Sequence, residues 1–262
     1  MRTTIKGEEE PEIAVVYCTH GDEAAGKKAV EKLLDENPEF LRPVKFLFAN
    51  EKAYREGERF IDTDLNRSFP GDPESESYEE RIAAEIMEEL KEPKVLDLHE
   101  STTEPVPFSL FTWMDERTIG TLQAVNAERT VEISYTPGCG INNYGGVEVE
   151  TGPKGSKESA DMMYRILKQF LVNMDTLEGE KNFSEPELYS VYGTQPRKRD
   201  DPDLSVSNFQ SVDEGDELAD GLNASESFVP VLFDENYNNI LGFKAVRLEK
   251  VEEKIFQQEK LK

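Results

Sequence analysis

Residues 13–23 read Ile-Ala-Val-Val-Tyr-Cys-Thr-His-Gly-Asp-Glu, and the fold turns on how they are read. A short apolar, β-branched run that ends at polar residues predicts a buried strand over 12–18. The next residues, 22–36, carry Ala24, Ala25, Ala29, Val30, Leu33 and Leu34 at helical spacing. Residues 44–48, Val-Lys-Phe-Leu-Phe, again read as a strand. Strand, helix and strand in this order make a βαβ unit, which implies a parallel sheet.

The pattern continues outward from that unit. A helix is predicted over 78–91, with Ile82, Ala83, Ile86, Met87 and Leu90 on one side and Ser77 and Glu80 at capping-box spacing. Strands follow at 94–98, 108–113 and 146–151, the last closed by Gly152-Pro153, and a long helix over 157–174. Thr176 to Pro186 is polar and reads as a linker. Beyond it come short strands at 187–192, 205–212, 227–233 and 241–248, with a glycine-turned hairpin over 212–219. The expected fold class is therefore α/β: a mixed, mostly parallel sheet flanked by helices over residues 1–178, followed by a small C-terminal β-domain over 179–262. No internal repeat is present.

Composition bounds the function. Asp and Glu number 55 against 30 Lys and Arg, for a formal net charge of −25. The acids are spread through the chain, so their mutual repulsion weakens a compact state in dilute salt and is screened in strong salt. This pattern suggests a halophilic setting and argues against nucleic acid as a partner, which needs clustered Lys and Arg. No apolar run approaches a membrane span, and the first residues lack the apolar stretch of a secretory signal. Two cysteines alone, Cys18 and Cys139, fit a reducing, cytoplasmic setting. Asn223-Ala-Ser matches a glycosylation acceptor, which carries little weight without a signal. A homo-oligomer is compatible with all of this.

The chain has only two histidines. His20 follows the first strand and His99 ends Lys-Val-Leu-Asp-Leu-His, the strand over 94–98. Glu23 lies three residues after His20. In open α/β sheets ligands bind beyond the carboxyl ends of strands. Two imidazoles and a carboxylate at such ends are the usual complement of a catalytic zinc. Between them, residues 59–71, Arg-Phe-Ile-Asp-Thr-Asp-Leu-Asn-Arg-Ser-Phe-Pro-Gly, concentrate Arg59, Asp64, Asn66 and Arg67. Two guanidiniums and an amide suit a carboxylate or a developing oxyanion. Asp64 suits the support of a ligating imidazole by accepting its second N–H.

Taken in order, His20-Gly-Asp-Glu23, Asn50-Glu-Lys-Ala53, Arg59 through Pro70, Asp97-Leu-His99 and Glu150-Thr-Gly-Pro153 resemble the succinylglutamate desuccinylase/aspartoacylase family, relatives of the zinc carboxypeptidases. The Asp-Leu-Asn-Arg segment is the most specific part. The resemblance implies a zinc-dependent deacylase of N-acylated amino acids, acting on a small anionic substrate. It implies that His20, Glu23 and His99 hold one zinc ion and that Glu150 is the general base. Arg59 would polarise the scissile carbonyl, Asn66 and Arg67 would bind the amino acid's carboxylate, and Asp64 would support a zinc-bound histidine. Tyr237 would match the tyrosine that the β-domain lends to the site. A zinc carboxypeptidase, a small-acyl esterase and an inactive binding module are the competing readings.

Some positions stay open or depart from the family. Glu148 and Glu150 share one strand face, so periodicity does not choose between them. Glu100 neighbours His99, but strand alternation turns it away. Cys18 shares the strand face of His20 and reads as a small core residue. Lys154 and Lys157 read as solvated. Residue 51 is Glu where relatives often have proline. Over 138–146, where aspartoacylases place an arginine and a tyrosine for a second carboxylate, the chain reads Gly-Cys-Gly-Ile-Asn-Asn-Tyr-Gly-Gly. Tyr144 is the one hydroxyl there and no basic residue is present, so the substrate is where the chain leaves its family.

Overall fold

The computed structural model describes residues 1–249 apart from 92, 103–106, 136–139, 184, 199–201 and 235–238. In chain order the strands are β1 (Arg2–Lys6), β2 (Ile13–Tyr17), β3 (Val44–Phe48), β4 (Lys94–Glu100), β5 (Phe108–Phe111), β6 (Arg129–Glu132), β7 (Val147–Thr151), β8 (Glu187–Pro196), β9 (Glu217–Ala219), β10 (Leu222–Asn223), β11 (Val229–Val231) and β12 (Ile240–Leu248). The helices are α1 (Ala25–Asp35), α2 (Glu51–Glu56), α3 (Tyr78–Glu89), α4 (Glu116–Val125) and α5 (Lys157–Asn173). Short 3₁₀ turns cover Leu65–Arg67 and Ile141–Tyr144.

Ten of these strands form one mixed sheet in the order β1-β3-β2-β4-β7-β5-β6-β8-β12-β11. The central pairs β3–β2, β2–β4 and β4–β7 are parallel, as the βαβ reading requires. Their apolar residues alternate between two cores. Ile13, Val15, Leu96, Leu98, Val147 and Val149 pack with α1, α4 and α5 on one face. Ala14, Val16, Leu47 and Val95 pack with Ile82, Ala83 and Ile86 of α3 on the other. Alternation along a strand sends neighbouring side chains to opposite faces. Asp97, His99, Glu148 and Glu150 therefore share the α3 face at the carboxyl ends of β4 and β7, and Glu100 faces α1 and α5.

The later strands extend the same sheet and build separate apolar clusters. Phe108, Leu110, Val131, Tyr189, Val231 and Phe243 belong to one of them. Two sequence expectations fail here. Residues 205–212 form no strand: Leu204 and Val212 make isolated bridges, and Phe209 adopts φ +64° between them. The hairpin over 212–219 also does not form. Gly215 does turn the chain, but Val212 bridges Phe228, and β9 pairs with β10 around Asp220-Gly221. An Asp-Gly pair with both residues at positive φ suits a two-residue hairpin loop, and it outcompetes the longer pairing. β11 contains Pro230 and lies at the sheet edge, where a missing N–H costs no ladder bond.

Candidate metal centre and active-site cavity

β2 ends at Tyr17, and Cys18 takes φ +53°. That break ends the strand alternation, so Cys18 and His20 do not share a face. Cys18 packs into the α1 and α5 core and its thiol donates to the Glu23 carbonyl at 3.4 Å. Burial pushes this thiol's pKa well up, which keeps it protonated and a poor ligand. Glycine at 21 lets the turn press against α2: a Cβ there would lie 2.3 Å from the Ala53 carbonyl carbon and the Tyr54 nitrogen. The Gly21 N–H then donates to the Arg59 carbonyl at 3.0 Å, bringing the loop of Arg59 to the turn of His20.

His20, Glu23 and His99 are all buried and converge. Glu23 Oε1 lies 2.8 Å from His20 Nδ1, and Glu23 Oε2 lies 3.0 Å from His99 Nδ1. The outer nitrogens face carboxylates. His20 Nε2 is 3.1 Å from Asp64 Oδ1, and His99 Nε2 is 2.9 Å from Asp97 Oδ2. In the neutral tautomer that donates its Nε2 proton to these carboxylates, each imidazole turns its Nδ1 lone pair inward beside Glu23. That is the tautomer and orientation a metal-binding imidazole needs. The three donor groups lie within 4.8 Å of one another and could hold a metal ion. Two nitrogens and a carboxylate oxygen suit zinc. Asp97, His99 and Glu148 come equally close together. There, however, Asp97 is already committed to His99 and accepts from the Thr19 hydroxyl at 3.1 and 3.0 Å.

The pKa directions follow from this wiring. Burial opposes charge on both imidazoles, but Glu23 raises His20, and Asp97 with Glu23 raises His99 further. Burial would raise Asp64 too, yet the His20 hydrogen bond and the charges of His20, Arg59 and Arg67 hold it well below the usual carboxylate range. On the neighbouring strand β7 burial outweighs the lowering influence of the nearby imidazoles. Burial pushes Glu148 up to about 7 and Glu150 up to about 8.

Arg59 reaches the cluster: Nη1 donates to Glu23 Oε1 at 3.0 Å, and Nη2 lies 3.0 Å from His20 Nε2 and 3.5 Å from Asp64 Oδ2. The loop that carries it is clamped by a residue the sequence reading passed over. Glu79, fully buried in the first turn of α3, accepts the backbone N–H groups of Ile61, Asp62 and Thr63 at 2.7, 2.9 and 3.2 Å. Glu79 also accepts from Asn50 Nδ2 at 3.0 Å, and Asn50 Oδ1 caps α2 at the Ala53 N–H. A hint was present, since acidic residues are favoured in a helix's first turn, but a helix terminus does not identify a loop partner.

A cavity of about 130 Å³ opens over the cluster and is lined by His20, Glu23, Arg59, Asn66, Arg67, His99, Glu148 and Glu150 among others. Leu110, Ile133, Leu232 and Phe243 make its apolar wall, so the strands after residue 187 border the site. Asn66 is buried, and its backbone carbonyl accepts from the Gly140 N–H at 2.8 Å. Glu148 Oε1, Glu150 Oε2 and Asn66 Oδ1 are buried acceptors with no hydrogen-bond partner among the described residues. Glu100, on the opposite sheet face, is saturated: it accepts from the Ala25 N–H at 2.7 Å, and from the Gly155 N–H and Ser159 hydroxyl at 2.9 Å. Lys154 is not simply solvated but pairs with Asp22 at 2.6 Å. Tyr144 is 40% exposed and lies off the cavity lining. Tyr237 and Cys139 lie outside the described residues.

Comparison with known proteins points one way. The family model described as "Succinylglutamate desuccinylase/Aspartoacylase catalytic domain" matches residues 9–144. Succinylglutamate desuccinylase from Pseudomonas fluorescens is 34% identical over 113 residues, 37% of this chain and 34% of that protein. An N-acyl-aromatic-L-amino acid amidohydrolase from Danio rerio is 27% identical over 188 residues, 60% of this chain and 59% of that protein. The matched segments thus span between a third and three fifths of these curated relatives. Among solved structures, an aspartoacylase family protein from Mesorhizobium loti superposes with a TM-score of 0.70 at 17% identity, covering 95% of this chain and 89% of that one. At that identity the likeness establishes the fold.

Proposed function

Because this chain belongs to the succinylglutamate desuccinylase/aspartoacylase family, we propose that it is a zinc-dependent hydrolase that removes the acyl group from an N-acylated amino acid. The observation that carries the reading is the buried His20–Glu23–His99 cluster, with both Nδ1 atoms turned inward by Asp64 and Asp97. When bound, zinc supplies Lewis acidity toward the carbonyl and lowers the pKa of water in the cavity.

The chain's own residues do the rest. Glu150, on the cavity wall with its carboxyl raised toward neutrality by burial, takes the proton of the attacking water and later passes it to the leaving amine. Arg59 gives the carbonyl oxygen a donor as negative charge collects there. Asn66 and Arg67 anchor the substrate's carboxylate. The β unit that follows residue 178 closes the apolar side of the cavity through Leu232 and Phe243. Peptide and ester substrates would meet the same apparatus; the family's amidohydrolase relatives favour the acyl amide.

Glu150→Gln keeps the shape of the side chain and removes its basicity. Turnover on an N-acetyl amino acid should fall by about 10² to 10⁴-fold while bound zinc, measured by elemental analysis, is retained. Turnover within a few fold of the parent protein would refute the role of Glu150. The even spread of acidic residues is read as an adaptation to strong salt. Among the described residues no helix is long and apolar enough to cross a membrane.

A further inference from the structure

One loop, from Arg59 to Arg67, carries the carbonyl donor Arg59, the His20 partner Asp64 and the carboxylate anchors Asn66 and Arg67. Its two halves are held differently. The later half closes on itself in the 3₁₀ turn Leu65–Arg67: the Asp64 side chain accepts the Asn66 N–H at 2.9 Å, and the Asp64 carbonyl accepts the Arg67 N–H at 2.9 Å. Gly140 then fixes the Asn66 carbonyl from outside. The earlier half has no such turn. Residues 61–63 belong to no helix or strand, so their N–H groups find no partner in a regular ladder, and buried N–H groups must be paired.

Glu79 does the pairing with both oxygens. Its Oε1 accepts from the Ile61 N–H and from Asn50 Nδ2, and its Oε2 accepts from the Asp62 and Thr63 N–H groups. The loop answers in kind, since Asp62 Oδ2 accepts the Tyr78 N–H at 2.7 Å at the start of α3. From Asn50 the connection runs on through the cap of α2 to Gly21, which is pressed against Ala53 and whose N–H holds the Arg59 carbonyl. Residues 59 to 63 are thus gripped at both ends by a circuit that passes through one carboxylate. Two donors on each oxygen suit a carboxylate and not an amide, which would turn an NH₂ group toward two of the four donors. Ile61 lies two residues from Arg59, and Thr63 adjoins Asp64. A shift of this segment therefore moves the Arg59 guanidinium, which now reaches Glu23 Oε1 at 3.0 Å, and the Asp64 carboxylate, which faces His20 Nε2 at 3.1 Å.

We propose that Glu79 is a positioning residue for the reaction: through the backbone of 61–63 it sets Arg59 toward the scissile carbonyl and Asp64 against His20. This role rests on the deacylase reading and adds to it a residue outside the cavity lining. The test uses the zinc-loaded full chain and the Nα-acetyl amino acid it turns over fastest. Glu79→Gln should lower kcat by on the order of 100-fold, the effect of displacing a catalytic group by about 1 Å. KM should change by less than about threefold, because Asn66 and Arg67 are held by their own turn and by Gly140. In an Arg59→Ala background the same substitution should lower kcat by no more than about threefold, since the group it positions is gone. Zinc affinity, read by competition with a chromogenic chelator, should weaken about tenfold through Asp64 and His20. Should Glu79→Gln fail to fold, Glu79→Asp, which keeps both oxygens one methylene short, carries the same comparisons with a kcat loss of about tenfold. Equal losses in the two backgrounds, or a lowered melting temperature with kcat intact, overturn the positioning of Arg59. An unchanged zinc affinity overturns the positioning of Asp64. If the unmutated chain hydrolyses no N-acetyl amino acid, the deacylase reading falls, and the zinc affinity of the variant alone decides the role of Glu79.

Discussion

Four carboxylates on the elements that build the site fall into two contrasting pairs. Glu79 and Glu100 are saturated, each accepting three or more hydrogen bonds from loop or helix N–H groups and hydroxyls. Glu148 and Glu150 each leave one buried oxygen without a hydrogen-bond partner among the described residues. Glu79, Glu100 and Glu148 are all buried and Glu150 is half-buried, so burial alone does not separate the two pairs. Hydrogen-bond satisfaction does. A saturated buried carboxylate holds backbone in place, whereas an unsaturated one is held ready for a group that arrives with the substrate. The metal ligands sit between the extremes, their inner atoms turned to one another and their outer nitrogens spoken for by Asp64 and Asp97.

The contrast can be broken at several points. The largest effect falls on the cluster itself. His99→Ala should abolish zinc binding and hydrolysis together, since the chain has no further histidine beyond His20 to substitute. Stoichiometric zinc in that variant would show that the ion sits elsewhere. Next in size is the clamp. Glu79→Ala strands the N–H groups of residues 61–63 and should destabilise the fold by about 3 kcal/mol in a denaturant titration. Glu148→Gln, by contrast, should shift stability by no more than about 0.5 kcal/mol, or raise it, because an unpaired buried charge is removed. Equal losses in the two variants would erase the distinction between holding and waiting carboxylates. The smallest effect is diffuse. With a net charge of −25, the melting temperature should rise between low and molar salt; a flat profile would remove the case for a halophilic setting.

Much of this was legible beforehand, and for local reasons. Period-two alternation on β4 and β7 puts His99, Glu148 and Glu150 on one face and Glu100 on the other, and that needs no coordinates. The helix capped by Ser77 also follows from local chemistry: its hydroxyl accepts the Glu80 N–H. The misses are of other kinds. β1 is a half-exposed edge strand whose residues, Arg-Thr-Thr-Ile-Lys, carry little apolar signal. α2 and β6 are too short for periodicity to register. α4 was missed despite an Asp115 cap and an Asn126 stop, because its mixed polar face blurs the stripe. The face shared by Cys18 and His20 was misjudged because a single positive φ at residue 18 resets alternation.

The order of chemical groups along the chain was enough to determine a parallel α/β sheet, two imidazoles and a carboxylate at its strand ends, and the family to which they belong. Strand and helix periods act over a few residues, and a ligand set is recognisable from its donors. Which buried acids are scaffold and which face the substrate was decided only in three dimensions. Asp97 turns His99, Glu79 fastens the loop of Arg59 and Gly140 packs against Glu148, each through contacts that depend on how the chain folds back on itself. A carboxylate's role depends on how many donors surround it, and that number is a property of the packed fold.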